Sequence, residues 1–199
     1  MEGEITDKYL RKFICLLPLQ IMNLKAMEQT VLLLTRHGET LENKRDIMQG
    51  HMPGTLSPLG IRQAEQLAVK LEDEEIDVIV CSDLKRSVDT AEIIAGPRGL
   101  SPCQTKLLRE IDWGKYTGGH LTEMDWNHLP EGCESLESLL HRAGLFVAWL
   151  QKEYSGLRVL AVGHGAIDRA IAAYIEGKQA MDMVDMPIMK NTEVVRFVL

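Results

Sequence analysis

The chain of 199 residues is 45% apolar and 26% charged and carries a net charge of -7. Such fractions exclude a disordered, fibrous or membrane-embedded protein, and the length suits one domain with a single good-sized core. The acidic balance argues against non-specific nucleic-acid binding, which needs a basic face, but leaves open a small anion held by a few arginines in a cleft.

Cys15, Cys81, Cys103 and Cys133 form no CxxC pair and have no histidines at ligand spacing. Neither a metal nor another cofactor is expected, and a reducing cytoplasm suits this usage. Residues 1–30 read as an N-terminal extension preceding a domain at 31–199. Lys8, Arg11 and Lys12 before the apolar run from Phe13 to Ile21 loosely mimic a secretory signal. Acidic Glu2, Glu4 and Asp7, the interrupting Pro18 and the lack of a small-residue cleavage site argue against it, and the run is too short to span a bilayer. The expectation is an amphipathic extension packed on the domain, or residues upstream of a start at Met22 or Met27.

Val31 to Thr35 reads as a central parallel strand, apolar on both faces. It ends in Arg36-His37-Gly38, and the polar, glycine-containing stretch Glu42 to Thr55 follows as a candidate binding loop. Ser57-Pro58 reads as an N-cap and first helical residue, with Ala64, Leu67, Ala68 and Leu71 on one apolar face. Ile76 to Cys81 is a second strand, and Ser82 is expected to cap a helix carrying Leu84, Val88, Ala91 and Ile94, stopped at Gly96-Pro97. A short strand is expected near Cys103 to Leu107. The irregular, aromatic segment Arg109 to Gly132 is expected to cover a site.

A long helix from about Glu134 to Tyr154 then places Leu136, Leu139, Leu140, Ala143, Val147 and Leu150 on one stripe. Arg158 to Val162 is a buried strand, Gly163-His164-Gly165 a turn, and Ile167 to Ile175 a helix with Ile167, Ala170, Ile171, Tyr174 and Ile175 apolar. Glu193 to Val198 is the last strand. This alternation predicts an α/β fold, a three-layer, mainly parallel sheet with helices on both faces. Ligands of such sheets bind at the carboxyl ends of strands. Arg36, His37, Arg86 and His164 all fall there.

Two arginines and two histidines around one point make an anion site, because guanidinium forks match phosphate oxygens. Backbone amides at the helix starts after Ser82 and Gly165 are expected to add to it. A neutral histidine whose other nitrogen is held by an acceptor can attack phosphorus. Glu110 is the carboxylate available as general acid toward the leaving alkoxide and then as base toward water.

With these residues in view, the sequence resembles the histidine phosphatase superfamily, the phosphoglycerate-mutase-like group. TRHGETLEN matches the signature with His37 as the phosphorylated histidine and Arg36 beside it, and SDLKRSVDTA puts Arg86 in the phosphate pocket. LLREIDWGKYTG resembles the acid-bearing block with Glu110, and VLAVGHGAIDR the last block with His164. The resemblance covers Val31 to about Leu199. It further implies that Asn43 touches the phosphoryl group, that Gln49 and Gly50 line the pocket, and that Gly165 belongs to the substrate-binding set.

Three departures stand out. Gly163 replaces a common serine, so one hydrogen bond to the pocket is expected to be absent. Pro53 to Ser57 depart from the usual pattern before the first helix, and Gly118-Gly119 stand where an acidic residue and one glycine are common. Mutases of the family resemble one another in a long basic insertion after the acid. Ile111 to Gly132 is short, with Lys115 its one lysine or arginine. The compact form resembles alpha-ribazole-phosphate and broad-specificity phosphatases. The resemblance therefore implies a metal-independent phosphomonoester hydrolase acting on a small phosphorylated metabolite, with no nucleic-acid or membrane partner. A phosphoglycerate-type mutase and a non-catalytic phosphate-binding module are the alternatives, and no residue pattern specifies an oligomeric state.

Overall fold

A computed structural model describes residues 29–199. The readings of Cys15, of the 13–21 apolar run and of a start at Met22 or Met27 lie outside the described residues. Five strands form one sheet in the order β3-β2-β4-β1-β5. These are β1 (Val31–Arg36), β2 (Val78–Ser82), β3 (Cys103–Thr105), β4 (Arg158–Gly163) and β5 (Val194–Val198). All neighbours are parallel except β5, which runs antiparallel to β1 along one edge. The helices are α1 (Pro58–Lys70), α2 (Lys85–Ala95), α3 (Leu136–Glu153) and α4 (Gly165–Ile175).

The alternation of side chains along each strand sorts these helices into two layers. Leu32 and Leu34 of β1 pack with Val159 and Ala161 of β4 against α3 and α4. Leu33 of β1 packs with Leu160 and Val162 of β4 against Leu67 of α1 and Ala91 and Ile94 of α2. The uninterrupted apolar runs in β1 and β4 are thus the signature of strands covered on both sides. No helix among the described residues is long and apolar enough to cross a membrane.

Ser57 caps α1 as expected, accepting from the Gly60 amide at 3.0 Å with Pro58 opening the helix. One local expectation is corrected. Leu84, not Ser82, is the N-cap of α2; Ser82 lies two residues outside, its hydroxyl accepting from the Leu84 amide at 3.3 Å. Tyr174, one of the apolar residues of α4, is 46% exposed. Its ring rests on Gly144 of α3, where any Cβ would strike it, and a phenol can keep its hydroxyl in water while its face packs.

The loop after His37 lies backbone to backbone on the first turn of α1. A Cβ at Gly38 would meet the Gly60 carbonyl, and one at Gly60 would meet the Glu39 carbonyl. Main chain on both sides leaves nothing flexible to give way. Gly60→Ala is expected to lower the unfolding free energy in urea by about 1–3 kcal/mol. A loss no larger than that for Leu59→Ala, at an exposed neighbour, would show that the approach is not constraining.

Candidate active site

The parallel pairing of β1 with β4 aligns Arg36 with Gly163, and the His37 amide donates to the Gly163 carbonyl at 3.1 Å. The residues that follow, His37 and His164, therefore emerge side by side, their ring centroids 5.0 Å apart. A cleft opens at this edge. Arg36, His37, Arg86 and Glu110 line it together with Asn43, Gln49 and Gly165. Gly50 and His164 stand behind this lining instead.

His37 is buried, and its Nδ1 lies 2.7 Å from the Gly38 carbonyl. A carbonyl only accepts, so Nδ1 carries the proton and Nε2 keeps its lone pair. That Nε2 accepts from Arg86 Nε at 3.2 Å. Burial, then Arg86 and Arg36, holds the His37 imidazole well below the ordinary histidine range. His164 is lowered in the same way, by burial first and then by Arg86, His37 and Arg36. Both rings are neutral near pH 7, as a nitrogen nucleophile must be.

Arg86 is fixed through its other nitrogens, which donate to the Met52 carbonyl at 2.5 Å and the Gly50 carbonyl at 3.0 Å. Gly50, at φ +47°, thus orients the guanidinium. Burial lowers the Arg86 pKa to about 10, which still leaves it charged at neutral pH. Arg36 passes over Gly165, and its Nη1 donates to the Met189 carbonyl at 3.1 Å. Asn43 and Gln49 are both tied to Thr40: the Thr40 amide donates to Asn43 Oδ1 at 3.1 Å, and Gln49 Nε2 donates to Thr40 Oγ1 at 2.9 Å.

Part of the helix-start amide set expected at the anion site is taken up by the protein itself. Glu110 Oε1 takes the first free amides of α4, Ala166 at 3.0 Å and Ile167 at 3.4 Å, together with that of Ile111. At α2 the Arg86 amide donates to the Pro53 carbonyl. The orphan amides of a helix start accept any well-placed oxygen, and here the protein supplies it. No described residue bonds Glu110 Oε2.

Several supporting residues carry no local sequence signal. Asn191 Nδ2 donates to the His37 carbonyl at 2.7 Å across 154 residues. Arg142 forks onto Glu134 at 2.9 and 2.7 Å and donates to the carbonyls of Leu107, Arg109 and Glu110, pinning the acid-bearing segment. Thr90, which accepts from the Gly38 amide and donates to the Arg86 carbonyl, could have been found by its position one turn after Arg86.

Gly163 also has a structural reason. A Cβ there would strike the carboxylate of Asp168, which is fully buried with neither oxygen bonded. The space of the common serine is thus filled by a carboxyl from α4.

A family model described as the histidine phosphatase superfamily (branch 1) matches residues 32–199. The chain belongs to this superfamily. It is 28% identical over 164 residues to adenosylcobalamin/alpha-ribazole phosphatase of Escherichia coli, covering 75% of this chain and 81% of that one. It is 32% identical to a metal-independent phosphoserine phosphatase of Arabidopsis thaliana, over 72% of this chain and 68% of the relative. A mycobacterial glucosyl-3-phosphoglycerate phosphatase, solved in complex with VO3, superposes with a TM-score of 0.77 at 28% identity, covering 83% of this chain and 91% of that one. Histidine phosphatase membership agrees with the mainly parallel three-layer fold described above.

Burial, then Glu110, raises the Asp168 carboxyl well above its ordinary range. A folded-state pKa above the unfolded value costs stability as pH rises from about 4 toward the folded value. The histidines act oppositely: depressed in the fold, they lose stability as pH falls below about 6.5. Asp168→Asn removes only the first effect. It is expected to gain stability over wild type at pH 7 but not at pH 4 in urea titrations, and equal gains at both would assign the effect to packing.

Proposed function

We propose that the protein is a metal-independent phosphomonoester hydrolase working through a phosphohistidine at His37. The observation that carries this reading is the neutral His37 ring, with Nδ1 held on the Gly38 carbonyl and the Nε2 lone pair facing Arg86. Arg36 and Arg86 supply charge for the equatorial phosphoryl oxygens, the positioning and electrostatics on which phosphoryl transfer mostly depends. The relatives named above, one of them a metal-independent phosphatase, support the same chemistry.

In the first step Nε2 gives up its hydrogen bond from Arg86 Nε, freeing that N–H for a phosphoryl oxygen, and bonds to phosphorus as the ester P–O bond breaks. The departing oxygen takes a proton from Glu110 Oε2, and the alcohol leaves. In the second, Glu110 takes a proton from water, whose oxygen bonds to phosphorus as the P–N bond returns its electrons to Nε2. Phosphate leaves and the acid form of Glu110 is restored. His164 walls the nucleophile from behind, and its neutral ring adds no charge against the arginines.

Hydrolysis is favoured over mutase activity because Arg36 and Arg86 are the lysines or arginines that line the pocket, both beside His37. A mutase returning phosphate to a carboxylate-bearing acceptor needs a further cation. Single-turnover quenching is expected to trap an acid-labile, base-stable phosphoenzyme that is missing in His37→Ala. Glu110→Gln is expected to lower kcat by about 10²- to 10⁴-fold, and EDTA to leave activity intact. Phosphoenzyme formation in His37→Ala would refute the assignment. Phosphate binding without turnover of any ester would favour the binding module.

A further inference from the structure

The pocket has two chemically different ends. Beyond the phosphate-side residues and Ala166, its lining consists of Ile47, Met48, Trp113, Leu121, Trp126 and Ile188. This collar contains no charged group. The remaining polar pair, Asn43 and Gln49, is tied to Thr40 through Asn43 Oδ1 and Gln49 Nε2, which leaves one polar atom of each for the phosphoryl side.

The collar is built from three separate segments and fixed by contacts outside the cavity. Met48 exchanges backbone hydrogen bonds with Gly118 and Gly119 at 2.9 and 2.8 Å, and the Leu121 amide donates to the Asp46 carbonyl at 2.7 Å. The binding loop and the aromatic segment are thus stitched into one wall. Trp113 and Trp126 meet edge to face, with centroids 5.3 Å apart. Arg169 lies 5.1 Å from the Trp126 ring centroid and donates to the Met183 carbonyl at 2.9 Å. Its charge therefore stabilises the indole and does not line the cavity. Ile188 closes the opposite side, next to Met189, whose carbonyl holds Arg36.

Resting on the phosphatase reading, we propose a substrate class for this site: the phosphomonoester of an apolar, ring-sized alcohol. An ammonium, carboxylate or polyhydroxyl leaving group would give up its water against these apolar side chains, which offer it no hydrogen bond, whereas apolar surface gains by burial. Arg86 commits three donors to His37, Met52 and Gly50 and Arg36 one to Met189, leaving few for an anion beyond the phosphate.

The test compares primary-alcohol esters, so that leaving-group acidity does not masquerade as recognition: 2-phenylethyl phosphate against O-phosphoserine and 3-phosphoglycerate. kcat/KM for the phenylethyl ester is expected to be higher by roughly 10- to 100-fold. Ile188→Lys is expected to shrink or invert the ratio, and Leu121→Lys on the facing wall gives the same readout should the first variant fail to fold. Equal rates or a preference for either polar ester would overturn the substrate class while leaving the phosphatase reading standing. No turnover of these esters or of p-nitrophenyl phosphate would overturn both.

Discussion

Everything at the pocket depends on the register between β1 and β4. With Arg36 opposite Gly163 and the His37 amide on the Gly163 carbonyl, two segments far apart in sequence deliver imidazoles to adjacent positions. Because the strands are parallel, both rings emerge at the carboxyl edge. A slip of one residue would turn His37 toward the opposite face of the sheet. The four consecutive apolar residues Val31 to Leu34 oppose such a slip less by alternation than by filling both cores at once, Leu32 and Leu34 on one side and Leu33 on the other.

Around this fixed pair the protein tolerates polar atoms that an ordinary core would not. His164 offers neither ring nitrogen a partner, Arg36 Nε is buried and unbonded, and Asp168 is buried with both oxygens unpaired. Each such group costs on the order of 1–3 kcal/mol relative to a satisfied one. Their concentration in one place, flanked by closely packed apolar layers, marks where stability gives way to chemistry. Arg142 illustrates the opposite investment: its bidentate pairing with Glu134 and three carbonyl contacts make an irregular segment rigid enough to present Glu110.

The strands, the Ser57-Pro58 helix start and the placement of Arg36, His37, Arg86 and His164 were legible in the chain because each rests on local pattern. Apolar runs, caps and strand ends are read within a few residues. What escaped the sequence depends on distant partners. Ser82 has the chemistry of a cap, but the chain takes two more residues to turn, so Leu84 occupies that place. The amides of α4 looked available for phosphate, yet Glu110 arrives from another segment to occupy them. Gly163 read as a lost hydroxyl, and only the tertiary structure reveals Asp168 in its space. The apolar collar escaped for the same reason, since Ile47, Trp126 and Ile188 belong to three unconnected stretches.

Asn191 ties the carbonyl of His37 to the turn that leads into β5, and the contact spans 154 residues. Most of that span is already closed by the β1–β4 pair, which leaves the stretch from Gly163 to Asn191 to be looped before the contact can form. The β1–β4 pair and the two cores can form beforehand, burying the leucines on both faces of the sheet. Refolding protein should therefore regain its burial and its helical signal ahead of a fully fixed nucleophile loop. Catalytic competence would be the final property to return, set by the docking of one edge strand and not by collapse of the core.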